Sequence, residues 1–207
     1  MKKIAISFFL IVSLIFFTKT IHVSSDYIEP TDNLIKYEGS ILLRIDEDNL
    51  KLLTQKMVIK KINNKWNTLV SENNVKIEFE NGIIEGTNLN YNVETQVGTL
   101  KDASLTIHDS KSTETISIKC ENLEFNLKEK DFRGTGKNDK IFISKGSIVA
   151  KAFKFYYNRT KGEITLEKSV DLKDSKKKIK LLAKKVVIFT ETNNMKGEDV
   201  KIEILVE

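Results

Sequence analysis

The chain has 207 residues, of which 40% are hydrophobic and 30% charged, and its formal net charge is +5. This length and apolar fraction suit one folded domain and exclude a disordered chain. Only three of the 34 basic residues are arginines, and the lysines lie among acidic residues without adjacent aromatic stacking platforms, which argues against nucleic-acid binding.

The first 25 residues predict an export signal or a membrane anchor. Lys2 and Lys3 precede an apolar run from Ile4 to Phe17, as in an export signal. The run is shorter than the roughly 20 apolar residues of a membrane span, although Thr20 to Val23 would extend it. Cleavage before Asp26 and retention as an anchor therefore both stay open. The anchor residues would be Ile4, Phe8, Phe9, Leu14, Phe16 and Phe17.

Either outcome leaves the rest of the chain outside the cytoplasm, because the basic start favours a cytoplasmic N-terminus. We expect residues 26–35 to form a linker that contains the only proline, Pro30. We expect residues 36–207 to form a single domain outside the cytoplasm.

Within that domain one pattern recurs five times: apolar, any, small, any two, apolar, any, apolar. The small residues lie 32, 34, 30 and 33 positions apart, at Thr54, Gly86, Cys120, Ala150 and Ala183. Apolar residues alternate on both sides of the small residue, which is strand periodicity. The alternation slips by one across it, so the strand must bulge or bend there to keep one face buried. The pattern predicts long strands that bend together around a shared interior.

Turn signals separate the strands. Asn63-Asn64 and Asn81-Gly82 predict hairpin turns, and later turns are expected at Gly98, Gly134, Gly162 and Gly197. No stretch after the leader has sustained helical periodicity. We therefore predict an all-β fold, a bent two-sheet meander of hairpins, with an apolar helix only in the N-terminal leader.

The residue types that carry catalysis are scarce. His108 is the only histidine of the domain, and its place after alternating apolar residues predicts a solvent-facing strand end. There is no nucleophile elbow, phosphate loop or dinucleotide fingerprint, and the scattered carboxylates nominate no acid pair. We expect a non-enzymatic protein that needs no metal and no cofactor.

The repeats resemble the periplasmic LptA/LptC components of lipopolysaccharide export, the OstA-like family. The resemblance is carried by the phrases Gly86–Leu100 and Ala150–Ile164. In that family a small residue, an apolar–x–Tyr strand, a Thr-x-x-Gly turn and a returning strand recur in this order. The resemblance covers about residues 36–207, and the short apolar leader is most similar to the membrane-anchored LptC type.

The resemblance implies a bent β-jelly roll whose apolar groove holds lipopolysaccharide or a similar amphipathic lipid. It also implies edge-to-edge strand contact with an OstA-like bridge protein and supply from an inner-membrane ABC transporter. The same residues suit a filled core, so a structural or carbohydrate-binding β-repeat protein is the alternative. The groove-facing candidates are Phe79, Leu89, Tyr91, Leu123, Phe125, Phe153, Phe155, Tyr157, Val186 and Ile188.

Overall fold

The computed structural model describes residues 19–108, 114–137 and 139–205. Within these residues the chain forms seventeen strands and one 3-10 turn, Asp46–Asp48, so the expected all-β fold is confirmed. The strands are β1 His22–Ser24, β2 Tyr27–Pro30, β3 Leu34–Ile45, β4 Leu50–Ile62, β5 Lys65–Ser71, β6 Val75–Phe79, β7 Gly82–Asn92, β8 Val97–His108, β9 Thr115–Asn126, β10 Asp131–Thr135, β11 Ile141–Lys145, β12 Ile148–Ala152, β13 Lys154–Asn158, β14 Glu163–Asp174, β15 Ile179–Phe189, β16 Met195–Glu198 and β17 Lys201–Ile204.

The expected apolar helix lies outside the described residues, as do all of its anchor candidates, Ile4, Phe8, Phe9, Leu14, Phe16 and Phe17. Over the described ranges, no helix has the length and hydrophobicity that crossing a membrane requires.

All seventeen strands form one antiparallel sheet, which is folded across its middle into two halves. The long strands β3, β4, β7, β8, β9, β14 and β15 run through both halves, and shorter strands complete each half. The front half has the order β2-β3-β4-β5-β7-β8-β9-β10-β13-β14-β15-β16. The back half has the order β1-β3-β4-β6-β7-β8-β9-β11-β12-β14-β15-β17.

We call the line where the long strands pass between the halves the crease. The pairing register shifts there between β3 and β4, β7 and β8, and β14 and β15. Left-handed residues accompany the shifts, among them Gly39 (φ +96°), Asn88 (φ +51°) and Lys168 (φ +65°). Along β4 the buried positions run two apart up to Thr54 and resume at Met57. The predicted slip and bend at the small residue are thus confirmed.

The fold brings the buried faces of the two halves against each other. Their apolar side chains form a single buried cluster. The contact is direct at Phe79 of the back half and Phe132 of the front half, whose ring centroids are 5.8 Å apart although β6 and β10 are not paired.

Several turns differ from the sequence expectation. The β6–β7 turn is Glu80-Asn81, one residue earlier than Asn81-Gly82, and Gly82, Gly98 and Gly134 are buried strand residues. A Cβ at each of these three glycines would collide with the aromatic ring of the paired residue on the next strand. Each of these glycines therefore leaves space for an aromatic ring. This packing role cannot be inferred from the frequency of glycine in turns. Gly197 likewise lies within β16. The turns at Asn63-Asn64 and Gly162 are confirmed.

The structure places strands in the stretch for which the sequence predicted the end of the leader and a linker. β1 pairs with the back-half part of β3, and β2, inside the expected linker 26–35, pairs with its front-half part. Both strands are only three or four residues long, too short to give a clear alternation. They form because β3 would otherwise expose an unpaired edge.

Candidate functional site

The interior between the two halves is the candidate site, since it collects the predicted groove residues. Nine of the ten are buried, whereas Phe153 is half-buried in the crease between β12 and β13. The Lys140 Nζ atom lies 5.7 Å from the Phe153 ring centroid. The nine fill the interior of this structure, and Asn90 and Lys154, which alternate with them along β7 and β13, are exposed. The buried nine are Phe79, Leu89, Tyr91, Leu123, Phe125, Phe155, Tyr157, Val186 and Ile188.

An unbroken apolar row crosses the front half at right angles to its strands. Each member is the register partner of the next, so the row runs through eight consecutive strands. At ~4.8 Å between neighbouring strands it spans roughly 34 Å. The row is Leu69, Tyr91, Gly98, Phe125, Phe132, Tyr157, Ile164 and Ile188.

Sequence reasoning missed four of the eight row residues, Leu69, Gly98, Phe132 and Ile164. Leu69, Phe132 and Ile164 lie on the returning strands, outside the five repeat copies. Phe132 is central to the row, because its ring is 5.8 Å from that of Phe79 and 6.0 Å from that of Tyr157. The available signal was its position two residues after a turn, which is also where Ile164 stands after Gly162.

The buried hydroxyl of Tyr91 interrupts the apolar character of the row. Tyr91 is 1% exposed and stacks on Phe125 with ring centroids 6.0 Å apart. Its hydroxyl is buried and has no hydrogen-bond partner among the described residues. Burial, and to a smaller extent the Asp48 carboxylate, raises the pKa of Tyr91. The hydroxyl therefore stays protonated, and it can donate to an acceptor that comes into the interior.

Opposite the crease, the turns of the two halves meet along a line that we call the seam. It consists of three side-chain clusters. In the first, Asp48 on the β3–β4 turn accepts hydrogen bonds from Lys19 Nζ (2.7 Å) and Gln96 Nε2 (2.6 Å). Gln96 is on the front half, so this cluster joins a turn of the back half to a turn of the front half.

The second cluster surrounds Glu80 on the β6–β7 turn of the back half. Its carboxylate is 3.2 Å from Lys130 Nζ and accepts a hydrogen bond of 2.9 Å from Arg159 Nη1. Both cations are on front-half turns. Burial alone would raise the pKa of Glu80, but Lys130 and Arg159 together lower it.

The third cluster surrounds Lys145, whose side chain is 0% exposed. Its ammonium group donates to Glu114 of the same half and, at 2.7 Å, to Asn193 Oδ1 of the front half. The Asn193 amide in turn donates to Glu114 at 3.1 Å. The charge of a buried lysine is thus balanced by a carboxylate, and its ammonium group is hydrogen-bonded at the seam.

The seam has no backbone ladder. Among the described residues, every hydrogen bond that joins a front-half turn to a back-half turn involves a side chain. In the described ranges, the backbone therefore joins the two halves through the strands that cross the crease, and these strands can stay intact when the turns part.

A surface recess of about 840 Å³ lies on the back half beside Glu80. Leu50 and Phe79, which also belong to the buried cluster, line it together with polar residues of the two neighbouring turns. The recess is a place where the apolar interior comes near the surface next to the seam.

The two ends of the folded sheet are open in the part of the chain that the structure describes. β16 and β17 pair only with β15, and β1 and β2 pair only with β3. The last strand exposes Ile202 and Ile204, the latter by 63%, followed by Leu205. Open strand edges of this kind can accept a further strand.

His108 and Cys120 both lie outside the apolar row. His108 is exposed at the end of β8, as predicted, and burial raises the pKa of the Cys120 thiol to about 12. Within the described ranges no group of three or more histidine, cysteine or acidic residues is arranged to hold a metal ion.

Comparison with known proteins gives distant fold likenesses to solved structures. No family model matches the chain, and no curated protein does. Among solved structures, the chain is similar to LptH, the LptA-homologous periplasmic component of the lipopolysaccharide transport device from Pseudomonas aeruginosa. The similarity has a TM-score of 0.35 and 9% sequence identity, and it covers 73% of this chain and 84% of that chain. This likeness is too distant to assign the chain to a family.

Proposed function

We propose that this protein is a non-enzymatic lipid-binding conduit that holds the acyl chains of an amphipathic lipid between the halves of its folded sheet. The observation that carries the proposal is the apolar row from Leu69 to Ile188. The row crosses the strands and extends roughly 34 Å, and it leads from one region of open strand edges toward the other. Burial of an acyl chain along the row would contribute ~0.8 kcal/mol of binding free energy per methylene.

The interior is filled when no guest is present, so a guest must replace contacts between the two halves. The seam makes this possible, because parting it costs side-chain hydrogen bonds and ion pairs while the backbone ladder of each half stays intact. Of the ion pairs that cross the seam, the one between Glu80 and Lys130 is half-exposed on both sides, and pairs of this kind contribute little, about 0–1 kcal/mol each. The buried Tyr91 hydroxyl supplies a donor for a polar atom such as an ester carbonyl of the guest.

The resemblance stated for the repeats supports lipopolysaccharide, or a lipid of the same build, as the guest. In this proposal the domain lies in the periplasm, held at the inner membrane by its N-terminal segment or released from it. An inner-membrane ABC transporter supplies the lipid. The exposed edge at β17, or the opposite edge at β1 and β2, pairs with a strand of an OstA-like bridge protein.

The test is photocrosslinking in the full chain with a benzoylphenylalanine probe. Probes at the inward positions Tyr91 and Phe155 are expected to crosslink to lipopolysaccharide. Matched probes at the outward neighbours Asn90 and Lys154 should label much less. Equal labelling at inward and outward positions would contradict a lipid-holding interior.

The dense packing of the nine buried candidates favours a second function, that of a structural β-repeat protein whose core never opens. This alternative requires that no inward probe crosslinks to lipid while the fold remains intact. The same four probes therefore decide between the two functions.

A further inference from the structure

The Glu80 cluster differs from the other two seam clusters in where its charges lie. In the Lys145 cluster, the cation and its carboxylate partner Glu114 belong to the same half. In the Asp48 cluster, the front-half partners are neutral, namely the Gln96 amide and the Val93 carbonyl. Around Glu80, by contrast, both cations are on the front half, and the carboxylate that forms ion pairs with them comes from the back half.

The two cations are held together independently of Glu80. The backbone N–H of Arg159 donates to the carbonyl of Lys130 at 3.1 Å, which places the β13–β14 turn beside the β9–β10 turn. The Asn158 side chain fixes the former turn, since its amide donates to Asp131 (2.7 Å) and its oxygen accepts from the Lys161 N–H (2.7 Å). Arg159 is 14% exposed, so its guanidinium is largely pre-ordered.

Parting of the seam would remove Glu80 and leave a paired lysine and arginine without their counterion. Lys128 and Lys161, exposed on the same two turns, add positive charge around them, and Glu129 of the β9–β10 turn and Asp131 at the start of β10 offset part of it. A lysine beside the planar donor fork of an arginine suits an oxyanion with several acceptor oxygens, and phosphate above all.

An apolar layer lies directly beneath these charges. Phe79 adjoins Glu80 in the chain, Phe132 follows Lys130 by two residues, and Tyr157 precedes Arg159 by two. The three rings are in contact, at 5.8 Å and 6.0 Å between successive centroids. The cluster thus places a two-cation group over the middle of the apolar row.

We propose that Lys130 and Arg159 form a binding site for the phosphate head group of an anionic amphiphile, and that Glu80 occupies this site as a built-in substitute when no lipid is bound. The proposal rests on the proposed lipid-binding function and adds the site of head-group recognition. The lipid phosphate displaces the Glu80 carboxylate, and its chain enters between Phe79 and Phe132 as the turns separate.

The experiment uses the full chain in amphipol and two photoreactive probes with the same diazirine-tagged dodecyl chain. One probe has a phosphate head and the other a maltoside head. Labelling is quantified by mass spectrometry on the peptide that contains Phe132. We expect the phosphate probe to label this peptide about tenfold more than the maltoside probe, since a hydrogen bond to a charged group contributes roughly that factor.

Three variants test the assignment of the residues. Glu80→Gln removes the competing charge and should raise phosphate-probe labelling several-fold. Arg159→Gln should lower it about tenfold, and Arg159→Lys should retain part of it. Glu78→Gln is the matched control, because it removes one negative charge from the neighbouring outward position on β6 and should change nothing. The thermal transition of each variant checks that it is folded.

The outcomes separate this proposal from the proposed function. Equal labelling by the two probes in every variant would overturn the head-group site and leave an apolar conduit. Displacement of the phosphate probe by inorganic phosphate at equal concentration would overturn a lipid head group in favour of a free-anion site. Failure of both probes to label any interior peptide would contradict the conduit itself.

Discussion

The Phe79 ring lies 5.8 Å from the Phe132 ring, and these two residues belong to opposite halves of one continuous sheet. Their contact means that the two halves pack against each other through side chains, between strands that share no hydrogen bonds. Packing of this kind, backed by a seam of side chains, is the physical basis for an interior that exchanges its own contacts for those of a guest.

Removal of the unpaired Tyr91 hydroxyl should affect the stability of the fold and the binding of lipid differently. In Tyr91→Phe the buried orphan group is lost, so the unfolding free energy should stay the same or rise by up to about 1 kcal/mol. Lipid crosslinking at Phe155 should fall about fivefold if the hydroxyl donates to the guest. Urea denaturation and the crosslinking yield measure the two effects.

Tyr27→Phe is the control for this change, because Tyr27 is exposed on β2. A Tyr91→Phe chain that is less stable and binds lipid normally would argue against a role of the hydroxyl in binding.

The Glu114 carboxylate should make stability depend on pH. Hydrogen bonds from Lys145 and then from Asn193 lower the pKa of Glu114 from its ordinary value of 4.5. A carboxyl whose pKa is depressed by folding contributes its full stability above the unfolded value and loses it as the pH falls through the folded value. The unfolding free energy should therefore decline below pH 4.5.

Glu114→Gln should flatten this decline and lower the stability at neutral pH, because Lys145 would keep a buried charge without a counterion. Denaturation in urea from about pH 7 to about pH 3 measures both effects. Glu203→Gln, at an exposed position of β17, serves as control. An unchanged pH profile in Glu114→Gln would show that this cluster does not hold the seam.

The glycine beneath Phe155 should not tolerate a side chain. A Cβ at Gly134 would collide with the Phe155 ring on the paired strand. Gly134→Ala should destabilise the fold by about 1–3 kcal/mol, as overpacked cores do. The double variant Gly134→Ala with Phe155→Leu should recover part of this loss, because the shorter side chain leaves room. Purely additive effects of the two changes would contradict direct contact.

Residues before Asp26 should contribute to the fold. β1 covers the back-half edge of β3, and Lys19 pairs with Asp48 at 2.7 Å. A chain that begins at Asp26 loses both and should be less stable than one that begins at Lys19, on the order of 2 kcal/mol. The expected drop in thermal midpoint is about 4–8 °C.

Lys19→Met in the longer chain isolates the ion pair from the strand. Equal midpoints for the two chain lengths would mean that β1 adds nothing to the stability of the domain.

The repeats allowed the fold class and the bend to be predicted, because burial alternates along the long strands and slips at a fixed small residue such as Thr54 or Ala183. Residues whose role depends on distant partners could not be predicted. Gly134 has the sequence context of a turn glycine, and only the structure shows that the Phe155 ring packs against it. Glu80 has the sequence context of an exposed acid, and only the structure shows that it contacts two turns that lie 50 and 79 residues away in the chain. The short strands β1 and β2 could not be predicted for a related reason, because they are defined by their pairing with β3 and not by their own sequence pattern.

The most direct test of the account is whether the seam parts when a lipid is bound. Spin labels at Asn81→Cys and Lys128→Cys, in a Cys120→Ser background, lie on exposed turns of opposite halves. Labels at Thr95→Cys and Lys128→Cys, both on the front half, are the control pair. Pulsed electron paramagnetic resonance should show the first distance lengthening by several ångströms when lipopolysaccharide is added, and the control distance should not change. A first distance that stays constant while lipid is demonstrably bound would contradict an interior that opens along its seam.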